Sequence, residues 1–227
     1  MNQLIALSKT ETLFQARSGF LVVGAIVTVL WLSVLVFVPE GQQPLILGLV
    51  LSLDVASVAM LFCMGLHLIE NRQQVLLALG VTPLNPDVKV WSRVLLISVT
   101  TLLISSLIII VHVPAERVLP LLAICAMNAV FFSVAGYLLV IHTPNVSQLI
   151  VRLGAVSPIW LIPYLAYFGF FNHPLLAVMP TYGLIMMFAD NPEYGGVTLI
   201  NFANFLCWFV VLSVWLHRAY PKVLSRS

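Results

Sequence analysis

Six stretches of the chain are apolar for long enough to leave water, and the segments between them are short. They run over about 20–38, 45–69, 93–113, 117–141, 149–171 and 197–217. Crossing a hydrocarbon core about 30 Å thick takes roughly 20 mostly apolar residues in a helix, which satisfies its own backbone polar groups there. The pattern therefore predicts an all-α integral membrane protein with six transmembrane helices, forming a single transmembrane domain over residues 1–227. Residues 1–18 mix apolar positions (Leu4, Ile5, Leu7, Leu13, Phe14) with polar ones (Lys9, Glu11, Gln15, Arg17), as an interfacial helix lying along the headgroups would. The run from Phe20 to Val38 is too long for a signal-peptide core and lacks a small-residue cleavage site, so it reads as a retained anchor. One further apolar piece, "PLLAVMPTYGLIMMF" from Pro174 to Phe188, is interrupted by Pro180 and Gly183. It is too short to span, and predicts a short re-entrant hairpin at 174–190 between helices five and six.

Composition agrees with the pattern: 8% of the 227 residues are charged, against about a quarter in soluble proteins. The few charges set an orientation. Lys9, Arg17, Arg72, Lys89, Arg93, Arg152, Arg218, Lys222 and Arg226 fall on one side, and Glu40, Glu116, Asp190 and Glu193 on the other with Arg117 alone among the basic residues. Basic residues concentrate in cytoplasmic loops, which makes the first side the cytoplasm, leaves both termini there, and predicts a multi-pass protein of the cell inner (cytoplasmic) membrane.

The chemistry that such a chain lacks narrows its function. No glycine is followed by lysine, so no P-loop can be written, and there is no GxSxG or paired acid–base carboxylate. His67 and Glu70 form an HxxE without HExxH or a second cluster, which predicts no metal site and no catalytic residue. Cys63, Cys125 and Cys207 lie inside apolar spans and form no CxxC pair, as expected of packing residues. No nucleic-acid partner is expected.

The longest polar stretch, "ENRQQVLLALGVTPLNPDVKVWSR" from Glu70 to Arg93, separates the second span from the third. It opens with Glu70, Asn71, Arg72, Gln73 and Gln74, turns apolar at Val75, Leu76, Leu77, Ala78 and Leu79, and continues through Gly80, Thr82, Pro83 and Leu84, with Gly80 and Pro83 as the breakers. An ordinary solvated loop would be as polar, but would not need Val75, Leu76 and Leu79. The order of an acidic residue, a polar turn, a leucine pair, a "TPL" turn and then Lys89 or Arg93 resembles the membrane subunits of type-2 ABC exporters, the ABC-2-type permeases. The resemblance covers the architecture of the whole chain, and its sequence over about residues 66–93.

That resemblance implies a coupling helix over 70–82, within a cytoplasmic coupling region at 70–89. Its ATPase-coupling residues would be Glu70, Asn71, Arg72, Gln73, Gln74, Leu76, Leu77, Thr82 and Pro83. It implies a permease without its own ATPase site, moving a hydrophobic or amphipathic substrate out of the cytoplasm. The partners would be two ABC ATPase subunits, which would carry the ATP and Mg, a second permease subunit as homo- or heterodimer, and the lipid bilayer. This chain would bind no cofactor itself. The reading that competes from another class is a non-transporting membrane scaffold or assembly subunit.

Several intramembrane residues are candidates for a substrate path. Trp160, Tyr164, Tyr167 and Phe171 lie on one face of the fifth span, where they could bind a greasy substrate or simply pack. Asn201 and Asn204 in the sixth span and Asn128 in the fourth either hydrogen-bond between helices or line a path. Ser52, Ala56, Ala59 and Cys63 form a small-residue stripe suited to close helix contact. Asp54 is the one acid well inside a span, a position that costs about 2.5–3.5 kcal/mol for Asp at a helix centre, so it is expected to border a wet outer cavity or to be held by hydrogen bonds.

Reporter fusions test the orientation. Fusions at Ser227 are expected to report cytoplasm and fusions at Asn191 the outside; a C-terminus found outside would make 174–188 a full span and remove the hairpin.

Overall fold

Long runs of Leu, Ile, Val and Ala without internal turn signals wind into long helices, and the computed structural model shows them over the described residues 2–73, 86–141, 143, 145–171, 173–189 and 197–224. Helix α1 covers Asn2–Arg17, α2 Phe20–Val36, α3 Gln43–Arg72, α4 Pro86–His112, α5 Ala115–Val140 and α6 Val146–Leu161. The short α7 covers Tyr164–Tyr167 and α8 Tyr182–Met187, and the long α9 covers Leu199–Leu224. Two 3₁₀ turns, Glu40–Gln42 and Pro174–Val178, complete the order; among the described residues there is no strand.

Five of these elements are long and apolar enough to cross a bilayer, and α2 makes a sixth when it is joined to α1, from which it bends by 64°. At roughly 1.5 Å per residue, the 17 residues of α2 reach about 25 Å, slightly short of the core alone. The bend sits at Gly19, whose φ of +78° is left-handed and disfavoured for any residue with a Cβ. The chain is thus an all-helical, multi-pass membrane protein.

Two boundaries differ from the hydropathy reading for physical reasons. The third span starts at Pro86 rather than 93, because Lys89 and Arg93 are buried inside the bundle instead of marking its edge. The fifth, read as continuous over 149–171, is broken after Leu161 and ends at Tyr167, with Pro158 and Pro163 each removing a backbone donor.

Helix α3 is the axis of the bundle: 61% of its span is buried, against 17% for the spans formed by α6–α7 and by α9. The stripe Ser52, Ala56, Ala59 and Cys63 is buried along it, and Asn128 of α5 donates from Nδ2 to the Ser52 carbonyl at 2.9 Å. Outward faces of α2 and α4 carry Val22, Ile26, Val29, Leu103 and Leu107, all exposed, the surface that lipid requires.

The apolar segment 174–188 folds as a 3₁₀ turn and the one-and-a-half-turn α8, with Leu184, Ile185, Met186 and Met187 buried. It is fastened by α9. Asn204 Nδ2 donates to the Ala177 and Met179 carbonyls (2.7 and 3.2 Å), its Oδ1 accepts from the Gly183 amide (3.1 Å), and Trp208 Nε1 donates to the Val178 carbonyl at 2.9 Å. These bonds satisfy backbone groups of the segment that its own short helices leave open. Gly183 is required by the same contact, since a Cβ there would collide with the Asn201 carbonyl and lie 2.9 Å from Asn204 Oδ1.

Candidate functional site

At the basic end of the bundle four charged side chains from three helices meet out of reach of water. Lys89 and Arg93 are one helical turn apart on α4 and leave it on the same face. Glu70 lies in the last turn of α3, and Glu11 lies on α1, one turn before Gln15. Arg93 is wholly buried and Glu11, Glu70 and Lys89 nearly so.

Their hydrogen bonds close on one another. Lys89 Nζ donates to Glu11 Oε1 at 3.0 Å and to Glu70 Oε1 at 2.7 Å. Arg93 spans both carboxylates: Nε donates to Glu11 Oε2 at 3.2 Å, Nη2 to Glu11 Oε1 at 2.6 Å, Nη1 to Glu70 Oε2 at 2.6 Å, and Nη2 also to Glu70 Oε1. All four carboxylate oxygens accept, and two negative charges balance two positive ones. Taking ions from water costs several kcal/mol each, so such a group persists where the partners are complete and its rupture is costly.

The surroundings extend the cluster to five long helices. Gln15 Oε1 accepts from Thr100 Oγ1 of α4 at 2.8 Å, adding a second tie from α1. His67, one turn before Glu70, meets the Tyr137 ring of α5 edge-on at 5.5 Å, and Tyr137 meets Tyr220 of α9 at 5.7 Å. Gln15 Nε2, His67 Nδ1 and Ser92 Oγ are buried here without a hydrogen-bond partner among the described residues. No group of three His, Cys, Asp or Glu side chains among the described residues is placed to hold a metal.

Comparisons with protein-family models, with curated proteins and with solved structures found no match to this chain.

The residues singled out in the sequence divide into three groups. Of the nine coupling candidates, Asn71, Arg72 and Gln73 are exposed at the end of α3, while Glu70, expected on the polar front beside them, is turned inward onto Arg93. Gln74, Leu76, Leu77, Thr82 and Pro83 lie outside the described residues. Asp54 is buried and accepts from Trp31 Nε1 at 3.1 Å, a bond between α2 and α3; it does not line the cavity at the opposite end of the bundle.

The remaining path candidates are hydrogen-bonded to neighbouring elements or engaged in ring contacts. Tyr164 donates to Ser52 Oγ at 3.0 Å, Tyr167 to the Leu45 carbonyl at 2.7 Å, and Asn128 and Asn204 to the carbonyls already described. Trp160 packs edge-on against Phe132 at 5.7 Å, and its carbonyl accepts from Thr181. Asn201 is buried, with its amide donating to Thr198 Oγ1 at 3.2 Å. Phe171 does not continue the stripe; it is exposed and stacks on His173. The sequence reading placed Glu11, Lys89 and Arg93 at the membrane surface and missed their meeting. The signal available was spacing, Glu11 with Gln15 and Lys89 with Arg93 each lying four apart on a helix.

Replacing Arg93 by Met strands two buried carboxylates on Lys89 alone. Arg93→Met is expected to cost on the order of 3–5 kcal/mol, read as a lowered melting temperature of the purified protein. Adding Glu70→Gln to it should restore part of that loss. A double variant whose cost equals the sum of the two single costs would show that these groups do not act together.

Proposed function

We propose that this chain is the membrane-spanning permease subunit of an ATP-driven exporter of the ABC-2 type, moving a hydrophobic or amphipathic substrate out of the cytoplasm. The observation that carries the reading is the anchorage of the polar segment between α3 and α4. Its leading residue, Glu70, and its trailing residues, Lys89 and Arg93, are held in one buried cluster that also holds α1 through Glu11. A load applied to the segment between them would reach α1, α3 and α4 together, as a coupling element must. Asn71, Arg72 and Gln73 stand exposed at its start, available to a partner.

In this reading, residues 70–89 dock on one of two ABC ATPase subunits, which bind the ATP and Mg, and a second permease subunit completes the transporter. Both termini and the charge cluster face the cytoplasm across the inner membrane, α1 lies at that surface, and 174–190 is a re-entrant hairpin from the other side. Nothing in the cluster is free to do acid–base chemistry, since its carboxylates and cations are occupied by each other. In this reading the chain is a mechanical part, and ATP hydrolysis belongs to the partner subunits.

Cysteine scanning tests this directly. Cysteines replacing Asn71, Arg72 or Gln73 in membranes are expected to cross-link to an ATPase subunit, and the purified complex to hydrolyse ATP while the purified chain does not. Cross-links confined to lipid or to the chain itself would favour the scaffold reading, and ATP hydrolysis by the clean chain would contradict both.

A further inference from the structure

Helices α6 and α9 each pack on α5, and the space left between them is a groove of about 270 Å³. Leu139 of α5, Val156 and Trp160 of α6, and Trp208, Leu212 and Trp215 of α9 line it. Trp215 is 60% exposed and the two spans that flank the groove are only 17% buried, so it opens on the face that meets acyl chains.

Helix register carries both walls of the groove to the basic end of the bundle. Gln148, Arg152, Val156 and Trp160 follow one another at four-residue steps on α6, and Trp208, Leu212, Trp215 and Arg218 at four- and three-residue steps on α9. Each wall therefore runs into an arginine. Arg152 is half-buried and tied to the floor, Nη1 donating to the Leu139 carbonyl at 3.3 Å and to Thr143 Oγ1 at 2.8 Å. Both acceptors are neutral. All three acids of that end are taken, Glu11 and Glu70 by the charge cluster and Asp87 by His217 at 2.9 Å. Among the described residues neither Arg152 nor the exposed Arg218 has an ion-pair partner.

We propose that this groove holds an acyl chain of an anionic phospholipid of the cytoplasmic leaflet, its head bound by Arg152 and attracted by Arg218. An apolar trough that ends in cations matches a molecule with an apolar chain and an anionic head, and basic pockets between transmembrane helices on the cytoplasmic side recognise such heads. The bonds to Leu139 and Thr143 fix the Arg152 guanidinium through Nη1 and leave Nε and Nη2, the pair that meets two phosphate oxygens side by side. Trp215, exposed one turn from Arg218, has the amphipathic ring that collects at headgroup level. A second helix laid in the groove would instead bury Arg152 against apolar side chains without a counter-charge, at a cost of several kcal/mol. The site needs only this chain and the cytoplasmic orientation of the basic end, not an ATPase, so its failure would leave the permease reading standing.

Native mass spectrometry of the purified chain, titrated in detergent with phosphatidylglycerol or phosphatidylcholine of the same palmitoyl and oleoyl chains, is the test. One phosphatidylglycerol per chain is expected to be retained at least about tenfold more tightly than phosphatidylcholine. Arg152→Gln should remove that preference, whereas Arg152→Lys, which loses the fork and keeps the charge, should keep part of it. Arg218→Gln, at an exposed position without a bond to lose, should weaken phosphatidylglycerol binding about fivefold. Leu212→Trp fills the groove and should weaken both lipids about tenfold or more; if it is not recovered as folded protein, Val156→Phe carries the same criterion. Arg17→Gln, on α1, should change nothing. Equal retention of the two lipids, a preference untouched by Arg152→Gln and Arg218→Gln, binding indifferent to the groove-filling variants, or an equal loss with Arg17→Gln would overturn the proposal. So would pairing of two chains that Leu212→Trp abolishes, since the occupant would then be a second copy.

Discussion

Four ionised side chains held away from water make a group that is stable when complete and costly when broken, and the basic end of this bundle is organised around such a group. Arg93 can occupy a fully buried position on α4 because Glu11 and Glu70 bring two carboxylates to its guanidinium, and Lys89 supplies the second positive charge that keeps the whole neutral. The geometry binds α1, α3 and α4 at fixed register. It also fixes where the polar segment leaves α3 and re-enters at α4, so whatever meets that segment acts on three helices at once.

The opposite half of the bundle is held by a different device, single hydrogen bonds from side chains to backbone. Tyr167 reaches the Leu45 carbonyl, Asn128 the Ser52 carbonyl, and Asn204 with Trp208 the carbonyls of the 174–188 segment. Each is neutral and individually modest, worth about 1 kcal/mol net in typical proteins. The two halves therefore differ in character: a charged junction that resists partial disruption, and a region where a broken helix and the 174–188 segment are tied to α3 and α9 by neutral hydrogen bonds.

Much of this was legible in the sequence. The long apolar runs gave the positions of the crossing helices to within a few residues wherever hydrophobicity alone decides, as for α5, read at 117–141 and observed at Ala115–Val140. Pro180 and Gly183 marked the broken segment, and the small-residue stripe of α3 lies buried as its composition implied. Reading failed where tertiary partners override the local preference. Charges were assigned to water, so α4 was started at Arg93, whereas its first turns continue through Lys89 toward counter-charges 78 and 19 residues away. On α1 the expectation was reversed in detail: Glu11 and Gln15 face the bundle and Leu13 faces outward, with Phe14 packed against the core beside those polar contacts. The asparagines were legible as hydrogen-bonding residues between helices, but which carbonyls Asn128 and Asn204 reach, and the donor roles of Tyr164 and Tyr167, depend on what the neighbouring helices present.

The central claim is that the buried charge pairing is needed to hold residues 9–17 of α1 to the bundle. Hydrogen exchange of the purified protein, followed at the backbone amides of residues 9–17, tests it most directly when wild type is compared with Arg93→Met. The account predicts exchange in that stretch faster by at least about tenfold, with the amides of α5 unchanged, as for a local opening. Equal protection of α1 in the two proteins would contradict it.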